Sequence, residues 1–373
     1  MSEPEHYIGL MSGTSMDGID AVRVDLSSRQ PVILATHHHP WPTSLRCRLR
    51  TAAQGAALSA TAFAQLDADA GQCFAQAAQV VMPATDQATV RAIGSHGQTI
   101  AHAPNATPGY SLQLGSPNLI AELTGIPTIA DFRNRDIAAQ GQGAPLVPAF
   151  HQALFRSAYE NRIILNIGGI ANLTWLASAP DSPVTGCDTG PGNCLLDTWI
   201  QQHTGQAFDD QGRFARAGTC QPELLQRLLQ DPYFAAPAPK STGTDYFSLH
   251  WLTHQLTVSY RAADVQATLV ALTAQTIART LIHHYPATDC VLVCGGGWHN
   301  PALRQALAET LPCPIKSTAA AGMAPDWVEA AAFAWLAQRR LREQPGNLPS
   351  VTGASSPRIL GAIYAATPDL RSQ

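Results

Sequence analysis

Four short glycine-rich turns stand directly after apolar runs that read as strands. Gly13 to Ser15 follow the run Tyr7 to Leu10, and Gly168-Gly169 follow Arg162 to Ile167. Gly190 to Gly192 follow the stretch around Cys187, and Gly295 to Gly297 follow Asp289 to Cys294. Such turns expose backbone N–H groups and hydroxyls with no bulky Cβ in front of them, which suits an anion such as the phosphates of a nucleotide. Taken alone, the first also reads as an ordinary hairpin turn. Ligands of α/β proteins gather at the carboxyl ends of strands, so the recurrence carries more than any single turn. The chain contains no G-x-x-x-x-G-K-[ST] and no G-x-G-x-x-G after its first strand, which excludes a Walker-type loop and a dinucleotide fold.

Other reactive residues narrow the chemistry further. Asp188 lies in C-D-T-G-P-G-N, and by itself could cap the helix that follows. D-T-G is also the triplet of aspartic proteases, but those need two such carboxylates sharing a proton and this chain has one. His37, His38 and His39 are adjacent on a strand, where neighbours face opposite ways, so they read as an exposed strand end and not as a metal site. His96 and His102 are too far apart to share one helix turn and read as hydrogen-bonding residues. Eight cysteines occur without a C-x-x-C pair, which argues against zinc and a disulfide framework and for reduced, cytoplasmic thiols.

The elements that must position these groups follow in order. Ile19 to Leu26 alternates as a strand and completes a hairpin with Tyr7 to Leu10. A third apolar run spans Val32 to Ala35. Leu58, Phe63, Leu66, Ala70, Phe74, Ala77 and Val81 mark a helix between Leu58 and Met82. Val90 to Gly94 is a strand ending in S-H-G-Q-T, Asn118 to Gly125 a helix closed by glycine, and Pro127 to Asp131 a strand running into D-F-R-N-R-D. About 155 residues after the first strand begins, strand, small-residue turn and strand return at Arg162 to Leu176, a repeat of pattern and not of identity. A polar, proline-rich middle (Gln206 to Tyr246) precedes a long helix, Asp264 to His284, a strand Asp289 to Cys294, a helix opened by Pro301, a strand near Ile315 and a helix Pro325 to Gln344.

At 373 residues the chain exceeds a single hydrophobic core, so two lobes are expected: 1–137, joined by part of the tail (about 350–373), and 138–349. The formal net charge of -4 argues against nucleic acid or a membrane surface as partner. No apolar run reads as long enough to span a bilayer. Met1 to His6 is polar and acidic, and reads as no signal peptide.

Five strings, G-L-M-S-G-T-S-M-D-G-I-D, G-S-H-G-Q-T, D-F-R-N-R-D-I-A-A-Q-G-Q-G-A-P-L-V-P, N-I-G-G-I-A-N-L and C-D-T-G-P-G-N, occur in this order, and the chain resembles the anhydro-N-acetylmuramic acid kinase family from Tyr7 to its tail. The resemblance implies a two-lobed α/β fold of the actin-like ATPase and sugar-kinase type, a duplicated ribonuclease H-like plan with a central ATP and substrate cleft whose lobes close on substrates. It implies an ATP- and Mg²⁺-dependent cytoplasmic kinase of cell-wall recycling, a homodimer by family habit. Its reaction would open the 1,6-anhydro ring with water and phosphorylate O6. Asp188 would be the base. Gly13, Thr14, Ser15, Met16, Asp17, Gly18, Ile19 and Asp20, with Gly168, Gly169 and Gly295, Gly296, Gly297, would bind ATP. Thr99, Arg133 and Glu329 would contact the sugar, and His96 and His102 would lie near it. Arg133 could grip a carboxylate with two N–H groups, or simply pair with Asp131 or Asp136.

The wider superfamily places an acid before the glycines of each hairpin; here those positions hold Met11 and Asn166, so the Mg²⁺ ligands stay unassigned, with Asp17 and Asp188 as possible contributors. The alternatives of other classes are a conventional hexose or amino-sugar kinase of the same superfold, whose base would deprotonate a sugar hydroxyl, and a non-catalytic nucleotide-dependent switch of actin type.

Overall fold

The computed structural model describes residues 4–82 and 90–366. It divides into two compact units, Met1–Leu154 with Trp327–Gln373, and Phe155–Asp326. The sequence reading set the crossings at 137/138 and 349/350; the first instead falls at the end of the helix Val147–Phe155 and the second just before the helix Val328–Leu341. The reason for the second lies in two glycines discussed below. Residues 1–3 and 367–373, at the ends of the first expected lobe, lie outside the described residues.

The first unit is built on strands β1 (His6–Met11), β2 (Gly18–Asp25), β3 (Val32–Pro40), β4 (Val90–Ser95) and β7 (Thr128–Ala130), with a separate hairpin of β5 (Gln98–Ala103) and β6 (Tyr110–Leu114). β1, β2 and β3 form an antiparallel meander, and β4 and then β7 add in parallel on the other side of β1, giving the order β3-β2-β1-β4-β7. The second unit is built on β8 (Arg162–Ile167), β9 (Ile170–Leu176), β10 (Thr185–Pro191), β11 (Cys290–Cys294) and β12 (Ile315–Ser317). Its order is β10-β9-β8-β11-β12, again with three antiparallel strands and two parallel additions. The first sheet gains one further edge strand, β13 (Ala362–Tyr364), antiparallel to β7. Two sheets of the same order and sense are the duplicated ribonuclease H-like plan that the resemblance implied.

Each unit has its own core. In the first, the helix Ala60–Val81 lays Leu66, Ala70, Phe74, Ala77 and Val81 on the sheet, the spacing read from the sequence, while Leu58 precedes the helix and is exposed. The helix Val328–Leu341 covers the other face. It approaches because β1 and β4 carry glycine there: a Cβ on Gly9 would stand 1.8 Å from the Ala330 carbonyl oxygen, and one on Gly94 would stand 2.0 Å from that of Phe333. This ties a segment near the end of the chain to the first strand.

In the second unit the helix Ala262–His284 runs through the core, burying Val265, Leu269, Leu272, Ile277 and Leu281. Against the sequence reading, this helix is long and apolar enough to cross a membrane by length and composition, but 72% of its most apolar window is buried in the unit. Its hydrophobicity is accounted for by its neighbours. The proline-rich middle folds into short helices, Arg213–Arg216, Pro222–Leu228 and Pro232–Ala235, that pack around it. The sequence reading did not include the helix Thr43–Ala53, the β5-β6 hairpin or the short helix Phe132–Ile137.

Candidate active site

In the first unit the β1-β2 turn forms as the sequence predicts. The Ser12 hydroxyl accepts from the Trp41 indole N–H at 3.1 Å and lies 2.7 Å from both the Gly18 carbonyl and Gln98 Oε1, one of which takes its proton. Gln98 Nε2 in turn donates to the Gly13 carbonyl at 3.2 Å. Asp17 Oδ1 accepts from the Ser15 hydroxyl at 2.9 Å and the Gly18 N–H at 3.1 Å, which organises the tip. Met16 holds a left-handed φ of 52° there. Thr14, Ser15 and Asp17 are exposed, and a Cβ on Gly13 would meet nothing closer than 3.9 Å. Packing therefore does not demand glycine at 13; an approach from outside would.

Arg133 is the centre of a second group. It does not pair with Asp131 or Asp136. Its Nε and Nη2 both donate to His96 Nε2, at 3.1 and 2.8 Å, and Nη1 donates to the Gly143 carbonyl at 2.8 Å. The other ring nitrogen of His96 lies 2.8 Å from the Gly97 carbonyl, which can only accept, so the proton sits on Nδ1 and Nε2 is free to accept. Burial, then the charge of Arg133, pushes His96 down to about 3, so the imidazole stays neutral. Burial also lowers Arg133 to about 10, against the opposing pull of Glu329 and Asp136, and it remains charged at neutral pH.

Asp136 is instead occupied with the loop that follows and with two side chains more than 200 residues later. It accepts from the Gly143 N–H at 2.8 Å, Asn347 Nδ2 at 2.5 Å and the Thr352 hydroxyl at 2.8 Å. Phe333 lies beneath, 4.8 Å from the His96 ring and 5.5 Å from that of Phe132, so one side chain sets both the end of β4 and the start of the helix bearing Arg133.

Glu329 opens the same helix as Phe333 and is partly buried. Burial raises its pKa, the nearby charge of Asp20 raises it further, and Arg133 opposes both. Asp20, Arg133, His96 and Glu329 are thus one electrostatic group. Thr99 is partly buried on β5, its hydroxyl accepting from Gln113 Nε2 at 3.1 Å. His102 is bonded elsewhere, to the Ser111 hydroxyl at 3.0 Å, and does not join His96.

In the second unit Asp188 sits inside β10 and not in a turn. The pairing of β10 with β9 slips between Asp188 and Gly190, leaving Thr189 as an extra residue, and a bulge of this kind re-aims the side chains beside it. Gly190, at φ 140°, lies within the strand against the Phe234 ring, so the third expected glycine turn begins only at Gly192. Asp188 is partly buried and Oδ2 accepts from the Thr242 N–H at 2.9 Å. Burial lifts its carboxyl to about 6, with the Thr242 bond pulling the other way.

The Gly168-Gly169 turn is braced from behind. Its carbonyls accept from the N–H groups of Gly192, Asn193 and Cys194 at 2.9, 2.8 and 3.1 Å. Those N–H groups are spent on the turn, so C-D-T-G-P-G-N supports the hairpin where the sequence offered it as the third cradle. Gly168 and Gly296 are open where a Cβ would stand, with nothing nearer than 3.7 and 3.9 Å. Gly295 and Gly297 are closed, by Asn166 and Ile167.

Among the described residues no three His, Cys, Asp or Glu side chains come together as a metal site, and all eight cysteines are free. His37 and His39 share one face of β3 with rings 5.7 Å apart, while His38 turns to Asp20 at 2.7 Å. Sequence reasoning missed the partners of Asp188, namely Tyr233, Lys240 and Thr242. One signal was available: Lys240 is one of only two lysines in the chain, the other being Lys316.

A family model described as anhydro-N-acetylmuramic acid kinase matches residues 5–366. A protein of that description from Xanthomonas campestris pv. campestris (strain 8004) is 50% identical over 98% of this chain and 100% of its own length. One from Bordetella petrii is 52% identical over 96% of each chain, and one from Coxiella burnetii (strain Dugway 5J108-111) is 47% identical over 96% of this chain and 97% of its own. With both sheets, both hairpins and the match over nearly its whole length, the chain belongs to the anhydro-N-acetylmuramic acid kinase family.

Proposed function

We propose that the chain converts 1,6-anhydro-N-acetylmuramic acid, ATP and water to N-acetylmuramic acid 6-phosphate and ADP, as a cytoplasmic step of cell-wall recycling. Water forms a bond to the anomeric carbon as the bond from that carbon to O6 breaks. O6 takes the γ-phosphoryl group, ADP leaves, and Asp188 receives the proton of the attacking water. The observation that carries this reading is Asp188: a carboxylate with one oxygen held by Thr242 and a proton affinity raised to about 6, close to the value wanted of a base near neutral pH.

Arg133 and Glu329, with Thr99, are the groups that would hold the sugar. Arg133 has N–H groups left over after His96 and Gly143 to offer a carboxylate. The exposed turn Gly13 to Asp20, with Gly168, Gly169 and Gly295 to Gly297, would receive the nucleotide through backbone and hydroxyl groups. Among the described residues no three His, Cys, Asp or Glu side chains make a cage for Mg²⁺ by themselves. An ion arriving with ATP would be held chiefly by phosphates and waters, the usual mode for Mg²⁺, and would supply charge neutralisation on the phosphates. A homodimer is the assembly proposed, and sedimentation at micromolar concentration tests it.

Oxygen-18 water tests substrate and mechanism together. Label at C1 of the 6-phosphate is the expected result. Turnover without label at C1 would mean a conventional sugar kinase whose base removes a hydroxyl proton, and no turnover by folded protein would sink both. Asp188→Asn is expected to lose at least 100-fold in kcat, the order seen when a positioned base is removed, while still binding ATP. The kcat/KM of the unaltered protein should rise with pH through about 6, because the base works only when ionised.

A further inference from the structure

Asp188 is enclosed by hydrogen bonds that run through one side chain far along the sequence. We propose that Lys240 is a positioning residue for the reaction, closing a ring of hydrogen bonds that aims the Asp188 carboxylate. The inference rests on the reading of Asp188 as base.

The ring has three links. The Asp188 N–H donates to the Lys240 carbonyl at 3.0 Å. Lys240 Nζ donates to the Tyr233 carbonyl at 2.9 Å and the Phe234 carbonyl at 3.3 Å. The Tyr233 hydroxyl donates back to the Asp188 carbonyl at 2.9 Å. Both backbone polar groups of Asp188 are therefore fixed by this segment. Two residues after Lys240, the Thr242 N–H holds carboxylate Oδ2 at 2.9 Å, so the position of Lys240 sets that of the group which orients the base.

A lysine suits the task for two reasons. Its ammonium reaches two carbonyls at the end of the helix Pro232–Ala235, where partial negative charge collects. It also lies 4.6 Å from the centre of the Tyr233 ring, over the face, which holds the phenol in place. The ammonium works through these partners: burial raises the Asp188 proton affinity and the Thr242 N–H opposes it.

The foot of the segment is fastened separately. Asp231 accepts from the Tyr233 N–H at 2.9 Å, the Tyr246 hydroxyl at 2.9 Å and the Trp251 indole at 2.8 Å, and Phe234 stacks on Phe247 with centroids 5.5 Å apart. Residues 236–243 between those anchors contain no helix or strand, so the bonds of Lys240 and Thr242 give that stretch its course together with Ala238 on the core and the Gly243 carbonyl, which accepts from the Phe247 N–H. The same stretch runs on to Thr244, whose methyl would lie 3.2 Å from a Cβ on Gly169 in the second hairpin.

The test compares Lys240→Met, which keeps the stem and removes the donor, with Lys240→Arg and Tyr233→Phe. Lys240→Met is expected to lower kcat by about 10- to 100-fold, the cost of a slightly misplaced reacting group, with KM for ATP and sugar changed less than about 3-fold. Its kcat/KM profile should also shift to lower pH, since water reaching the carboxylate returns it toward an ordinary carboxylic acid. Lys240→Arg should recover part of kcat, and Tyr233→Phe should repeat the loss in smaller measure. Folded Lys240→Met and Tyr233→Phe with unaltered kcat and pH profile would overturn the proposal; so would Lys240→Met losing only thermal stability. Should Lys240→Met not fold, Tyr233→Phe decides by the same two readouts. Asp188→Asn run alongside separates the causes: if it keeps its activity the base reading itself fails, whereas an inactive Asp188→Asn beside fully active Lys240 and Tyr233 variants removes the positioning role alone.

Discussion

His96 shows how much of this protein rests on the protonation state of single residues. Its neutral ring accepts two N–H groups from Arg133, a bond that protonation at Nε2 would replace with repulsion. His96→Leu should therefore raise KM for the sugar about 10- to 100-fold, matching the 1.5–3 kcal/mol of a hydrogen bond to a charged group, with a smaller effect on kcat. His96→Gln keeps an acceptor and should recover part of that loss in the same kinetic assay. Linkage gives a second readout. Between its ordinary 6.5 and about 3 the unfolded chain binds a proton that the native imidazole refuses, so stability must fall as pH drops through that window. Each such ring contributes up to about 1.4 kcal/mol per pH unit, and buried His151, also lowered to about 3, adds to it. Urea unfolding between pH 7 and 5 should show a shallower dependence in His96→Gln than in the unaltered protein.

At the level of elements, glycines with similar sequence surroundings do different work. Gly9 lets the helix Val328–Leu341 rest on β1, with a Cβ position 1.8 Å from a backbone oxygen that cannot swing away. Gly9→Ala should cost about 3 kcal/mol or more by forcing the helix off the sheet, read by urea unfolding. Gly13→Ala meets open space and should change stability by under about 0.5 kcal/mol, while raising KM for ATP if the turn receives phosphates. Both hairpins, the helix Ala60–Val81 and the helix Ala262–His284 were legible in the sequence because period and turn chemistry are local signals. The helix Phe132–Ile137 was not: it is six residues long and begins from Asp131 in a left-handed conformation, φ 57°, which local propensity disfavours. The partners of Asp188 were equally hidden. Lys240 lies 52 positions away by number, in a stretch whose composition suggests only a loop.

For the molecule as a whole, the repeat of pattern seen in the sequence proved to be a repeat of topology, strand for strand across five strands of each sheet. What the sequence could not reveal is where one unit yields to the other, because that depends on which sheet a late helix covers. The second unit is continuous, Phe155–Asp326, with its own core around Leu269 and Leu272, whereas the first needs Trp327 onward to cover β1 and β4. A chain ended at Asp326 should thus resist limited proteolysis across 155–326 and be cut readily before 154. Equal resistance on both sides would show that the sheet of the first unit stands without its late helix.

The seating of that helix on Gly9 and Gly94 also fixes an order of events during synthesis. Once β1 has left the ribosome it must wait for a segment that begins 318 residues later, at Trp327, counted from Gly9. At about 5–20 residues per second the wait lasts roughly a quarter of a minute to a minute, long enough for the second unit to fold in the interval. The sheet that carries the Gly13 turn, although made before the second unit, is finished after it.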